Sequence, residues 1–242
     1  MIRRAIVALF FISIFSHPIH AQFASKDSIL IFRPIEQSDS THAIELGKMC
    51  WENRNTNLAL SLISGRRAYE IAEFHHFYSI LPQISNYLGI AYRNEGNYPK
   101  AIEYFLLALK SSSLSNNLRE KSYAYNNVGE IYKFQNNFED AYKNIIAASK
   151  IFLTINDTTG IAYTYLRLGE TYLAEQKLDS AYKYLELSAN YRNEQKDLRN
   201  YSVSLHRMAE VLFARGEYER AEKLFTQSLT SDPCASSRNP AW

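Results

Sequence analysis

The sequence predicts an all-α protein, a right-handed α-solenoid of antiparallel helical hairpins. Three observations predict it. The phrase "GIAY" at 89–92 returns as "GEIY" at 129–132 and as "GETY" at 169–172, an interval of 40 residues. Self-similarity at a fixed period marks a stack of like units, each burying its apolar face against the next. Only eight glycines and six prolines occur in 242 residues, so few stretches carry helix breakers. Short polar segments ("NEGNYPK", "FQNNFED", "AEQKLDS" and "ARGEYER") separate the apolar stretches, as helix–helix turns require.

The elements follow in chain order. Residues 1–21 have the layout of a secretory signal peptide: Arg3 and Arg4, an apolar run of 11 residues from Ala5 to Phe15, a break at Pro18 and a small residue at Ala21. The run is shorter than the ~20 residues that span a bilayer. Cleavage after Ala21 is expected to leave an exported protein, periplasmic or extracellular, with no membrane span. Residues 22–40 read as a linker or N-terminal arm. Residues 41–79 read as a degenerate unit around Gly47. Four clear units fill residues 80–230, and 231–242 form an irregular tail broken at Pro233.

Within the four units, columns of like residues recur. Gly89, Gly129, Gly169 and Ala209 form a small column, and Tyr92, Tyr132, Tyr172 and Leu212 stand three residues on. Ala101, Ala141, Ala181 and Ala221 form a second small column, followed by Phe105, Ile145, Leu185 and Phe225. Spacings of three and four place each set on one helical face. The small columns let helices approach closely, and the large apolar columns fill the seams. Asn97 and Asn137 are expected to cap the second helices, and Pro99 fits a first turn, where its missing N–H costs little.

These columns resemble the tetratricopeptide repeat: a small residue, an aromatic, an alanine, a large apolar residue and a second small residue, in that order. The period here is 40 rather than the family's 34. The additional residues are expected to lengthen helices, since no long loop is visible. The family's tryptophan column is replaced by Ser85, Tyr125, Tyr165 and Leu205. The long period is similar to that of the exported repeat regions of bacterial sensor and regulator proteins.

Composition excludes several functions. Setting Arg3 and Arg4 aside leaves 25 basic and 25 acidic residues, which gives no electrostatic case for nucleic acid. Cys50 and Cys234 form no close motif. No HExxH, GxxxxGK[ST] or GxSxG sequence occurs. Adjacent His75 and His76 point about 100° apart on a helix and read as structural or solvated. No catalytic residue, cofactor site or metal site is expected, so the chain is read as no enzyme.

The resemblance implies that the first helix of each unit lines a concave groove. It places Asn86 and Arg93 there from the first clear unit, with Gln83, Tyr87 and Ile90 beside them. Tyr123, Asn126, Asn127 and Glu130 follow from the second, then Tyr163, Arg167 and Glu170 from the third, and His206, Arg207 and Glu210 from the fourth. Gln83, Tyr123, Tyr163 and Val203 do not support the family's clamp for a C-terminal carboxylate. Arg167/Glu170 and Arg207/Glu210 read first as i,i+3 pairs on a helix surface, worth ~0.2–0.5 kcal/mol, and second as a charged ladder. Tyr123, Tyr125, Tyr163 and Tyr165 read first as packing.

The function expected is a non-catalytic exported scaffold that binds a protein or peptide. The alternative is the sensory input region of a bacterial sensor histidine kinase or helix-turn-helix regulator, the chain then being a piece of a longer protein. No helical cap follows Leu224, Phe225 and Leu229, so end-to-end self-association through the last unit is also expected.

Overall fold

The computed structural model describes residues 30–231; the signal peptide and tail assignments, Cys234 included, lie outside them. After a short 3-10 turn at Ile35–Gln37 come ten α-helices and, among the described residues, no strand. They are α1 (Ser40–Asn53), α2 (Leu58–Phe74), α3 (Leu81–Glu95), α4 (Tyr98–Ser115) and α5 (Leu118–Phe134). The second half holds α6 (Phe138–Thr154), α7 (Thr158–Ala174), α8 (Leu178–Glu194), α9 (Leu198–Ala214) and α10 (Tyr218–Ser231).

The turns explain the regularity. From α5 to α9 each helix has 17 residues. Left-handed backbone occurs at His76, past the end of α2, and at one position in each of the seven later turns: Gly96, Asn116, Asn136, Asn156, Gln176, Lys196 and Gly216. Glycine and asparagine hold that conformation at little cost, and they occupy five of these seven positions. The residue that follows closes one helix and opens the next. The Asn137 N–H donates to the Tyr132 carbonyl at 2.9 Å, the long bond of a Schellman ending. Its side chain then accepts from the Asp140 N–H at 3.3 Å. Asn97, Asn117, Asp157 and Asp197 cap α4, α5, α7 and α9 in the same way, so the expected caps Asn97 and Asn137 are both present. Pro99 lies in the first turn of α4.

Every helix packs on its neighbours in sequence, and α1, α3, α5, α7 and α9 also pack successively on one another. The side where alternate helices meet is the inside of the curve, so the odd-numbered helices form the concave wall.

The small columns do what close approach demands. A Cβ on Gly89 would lie 2.5 Å from the Phe105 ring, and one on Gly169 would lie 2.5 Å from Leu185 Cγ. Phe105, Ile145 and Leu185 are fully buried over these glycines. Phe105 also joins Ala101 to Val128 and Ile131 of the next unit in one apolar cluster. The large column thus fills both the hairpin interior and the seam between units. The N-terminal end is covered by the segment before α1: Ile31 is buried on the first core, and the His75 Nε2–H donates to the Ile35 carbonyl. At the other end, among the described residues, α10 packs chiefly on α9; Leu224 and Phe225 are half-buried and Leu229 is 66% exposed. Cys50 is buried, and burial pushes its thiol up to about 11, so it is an inert core group.

Candidate functional site

The concave wall carries a row of charge, buried from Arg93 to Glu170 and more open at its far end. Arg93 on α3 pairs with Glu130 on α5. The other Glu130 oxygen takes Arg167 Nη1 from α7 at 2.6 Å. Arg167 also reaches Glu170 at 2.9 Å, and Glu170 takes Arg207 Nε from α9 at 3.1 Å. Arg207 ends the row on Glu210 at 2.9 Å. Lys133 Nζ adds a contact to Glu170 at 3.5 Å, and Arg167 Nη2 donates to the Tyr163 hydroxyl at 2.7 Å. The row therefore crosses four helices in alternating sign.

The reading of Arg167/Glu170 and Arg207/Glu210 as surface pairs within one helix needs correction. The i,i+3 contacts exist, but each pair is also joined to a neighbouring unit; the Arg167 and Glu170 side chains are only 14% and 9% exposed, while the Arg207/Glu210 pair stays partly at the surface. Burial alone would raise the Glu170 carboxyl. The Arg167, Lys133 and Arg207 charges outweigh it and hold the group at about 2. Burial would lower the Arg167 guanidinium; Glu130, Tyr163 and Glu170 reverse this and hold it well above its usual range.

Beside the row lies a cavity of about 440 Å³. Its walls are Trp51 from α1, Gln83, Asn86, Tyr87 and Ile90 from α3, and Arg119, Glu120, Tyr123 and Asn127 from α5. Thr159 and Tyr163 from α7, Arg192 at the end of α8, and Asp197 and Asn200 at the start of α9 close it. Trp51 and Tyr87 stack with centroids 4.9 Å apart, and Tyr123 and Tyr163 lie 6.0 Å apart. Trp51 of the first unit and Asp197 and Asn200 at the start of α9 line the same cavity, so the array curves back toward its first unit. That curvature turns an open groove into a walled cavity.

The twelve expected site residues divide accordingly. Arg93, Glu130, Arg167, Glu170, Arg207 and Glu210 form the charged row, and Asn86, Tyr123, Asn127 and Tyr163 line the cavity. Tyr163 touches both. Asn126 belongs to neither: it is fully buried, and its Nδ2 donates to Thr164 Oγ1 at 3.0 Å across the contact of α5 with α7. His206 sits against Phe225 of α10, ring centroids 5.0 Å apart. Tyr125 and Tyr165 pack in a core cluster with Phe152 and Tyr191. Trp51, Arg119, Glu120, Asp197 and Asn200 were not among the expected residues. The first-turn pair Arg119–Glu120 on a helix already assigned to the groove was the available signal. The described residues hold no group of three or more His, Cys, Asp and Glu side chains placed to share a metal ion. No described helix is long and apolar enough to cross a membrane.

The fold and its inner face define a class, the helical-hairpin repeat proteins whose concave side is a built surface. Two family models described as tetratricopeptide repeat match residues 160–233 and 88–120, and the chain is a tetratricopeptide-repeat protein. No curated protein matches it. Among solved structures, BtubC from P. vanneervenii is similar at TM-score 0.58 and 18% identity, over 87% of this chain and 94% of that one. Aspartyl phosphate phosphatase F from Bacillus subtilis is similar at TM-score 0.63 and 18% identity, over 85% of this chain but 62% of the phosphatase. A signal transduction ATPase with a tetratricopeptide repeat sensor from Pyrococcus horikoshii is similar at TM-score 0.60 and 20% identity. The match covers 79% of this chain and 30% of that one.

Proposed function

We propose that the chain is an exported, non-catalytic scaffold that binds an extended peptide or protein segment in its concave groove. The observation that carries this reading is the walled cavity of about 440 Å³ on the inner face, where rings, amides and charged groups converge from all five odd-numbered helices. Aromatic rings give large contact area at low entropic cost, and amides satisfy a peptide backbone. The charged row ties α3, α5, α7 and α9 at a set spacing, so the surface is pre-organised and little ordering is left to oppose binding. Repeat proteins of this fold serve as protein-interaction scaffolds, which supports the same reading.

Selection of displayed peptides against the full chain tests it. Binders are expected, and replacing Tyr123 and Asn127 together by alanine is expected to weaken them by about tenfold or more. Failure to select any binder, or binders indifferent to those changes, would count against the groove. Export has its own test. N-terminal sequencing from a host of native type is expected to begin at Gln22, and intact Met1 recovered from cytosol would refute it.

The similarity to the sensor-bearing ATPase favours a second reading, a sensory input region. A small-molecule ligand that displaces the selected peptides would support it over the scaffold.

A further inference from the structure

The cavity is not chemically neutral in the way its lining first suggests. Its two arginines are already matched within the chain: Arg119 Nε to Asp157 at 2.7 Å and Arg192 Nη1 to Asp197 at 2.8 Å. Glu120 is different. Asn86 directs both Nδ2 hydrogens at it, one to its carbonyl at 2.9 Å and one to Oε2 at 2.8 Å. Oε1 has no partner among the described residues, and no cation stands within ion-pair distance of the carboxylate. Burial raises the Glu120 carboxyl, which the Asn86 bond and the Arg119 charge only partly offset. Tyr87 and Tyr123 line the same cavity as this carboxylate. A half-buried carboxylate with one open oxygen in a cavity shared with aromatic rings is the complement of a cationic head on an apolar stem. Desolvating a carboxylate without a counter-charge is costly, and a cation entering here relieves that cost. Ring faces attract the same cation and cover its stem.

We propose that this cavity receives one basic side chain, arginine or lysine, of the extended partner, with its head on Glu120 Oε1 and its stem along the Tyr87 and Tyr123 rings. This rests on the groove reading above and adds what the partner must carry. An anion is disfavoured because it would meet Glu120, while Arg119 and Arg192 are already paired.

The test is an NMR titration of the full chain with four single-residue probes. These are the N-acetyl N-methylamides of arginine, lysine, citrulline and glutamate. The arginine and lysine probes are expected to shift the amides of residues 83–90 and 119–127. Citrulline, the same shape without charge, and glutamate are expected to bind about tenfold more weakly or worse. Glu120→Gln keeps an oxygen for Asn86 and is expected to retain the unfolding midpoint while weakening the basic probes by about tenfold. Equal binding of citrulline and arginine, a preference for glutamate, or unchanged binding to Glu120→Gln would overturn the proposal. The citrulline comparison is made on the unaltered chain, so it stands even if the variant misfolds. A pentapeptide with arginine between glycines should bind more tightly than the single residue. If it binds no better, the ligand is a free small cation and the peptide assignment falls. Selected groove peptides without any basic residue would overturn this inference and leave the groove reading intact.

Discussion

Replacing Glu170 by alanine is expected to lower the unfolding free energy by about 3–5 kcal/mol, the usual consequence of removing one member of a buried charge network. Glu170 is the node of the concave row. It accepts from Arg167, Arg207 and Lys133, which reach it from three helices. Its loss leaves Lys133 without an ion pair and Arg167 with Glu130 as its one carboxylate, both in surroundings that water barely enters. The control is Glu103→Ala, which breaks the pair with Lys100, whose side chains are 48% and 52% exposed. Exposed pairs of this kind contribute within ~0.5 kcal/mol. Urea unfolding of the three proteins at one pH measures the difference. Equal losses from Glu170→Ala and Glu103→Ala would mean that the row is solvated and does not brace the groove.

The same node sets an acid response. The folded Glu170 carboxyl is held at about 2, below its usual 4.5. A depressed carboxylate contributes stability that is complete above the unfolded value and is lost as pH falls toward the folded one. The unaltered chain should therefore weaken between about pH 4.5 and pH 2, and Glu170→Gln should lose this part of the pH dependence.

Much of the architecture was written locally in the chain. The columns at Gly129, Ala141 and Ile145 read as helix contacts because a helix repeats its face every three or four residues. Asn97 and Asn137 read as caps because a short acceptor before an apolar run has one economical use. The site was less legible. Arg167 and Glu170 are three apart and visible as a pair, but the bond from Arg167 to Glu130 spans 37 residues. That spacing is one period less one helical turn and emerges only once units are stacked. Trp51, Glu120 and Asn200 meet because the array curves, and curvature is a sum of small rotations that no single window contains. Asn126 was placed in the groove by its column; the direct contact of α5 with α7 buries that face instead.

The second large effect is expected at Ala141. A leucine there is expected to cost ~1–3 kcal/mol, and Gly129→Ala is expected to fall in the same range, because both force apart the α5–α6 contact. Ala141 is fully buried, and a Cβ on Gly129 would lie 3.0 Å from the Ala141 carbonyl oxygen and 2.7 Å from Ile145 Cγ1. Neither neighbour yields easily: the carbonyl belongs to helical backbone, and isoleucine is stiff at χ1. Glu139, two residues before Ala141 and exposed, is the control, and Glu139→Ala is expected to stay within ~0.5 kcal/mol. Equal urea midpoints for Ala141→Leu and Glu139→Ala would show that the two helices do not meet at this register. The packing change also reaches the site. Helix α5 carries Glu120, Tyr123, Asn127 and Glu130, so displacing it from α6 moves one cavity wall and one member of the charged row together. Ala141→Leu is therefore expected to weaken peptide binding as well as the fold, although residue 141 does not line the cavity. Unaltered binding in a destabilised Ala141→Leu chain would place the strain on α6 and leave α5 where it stands.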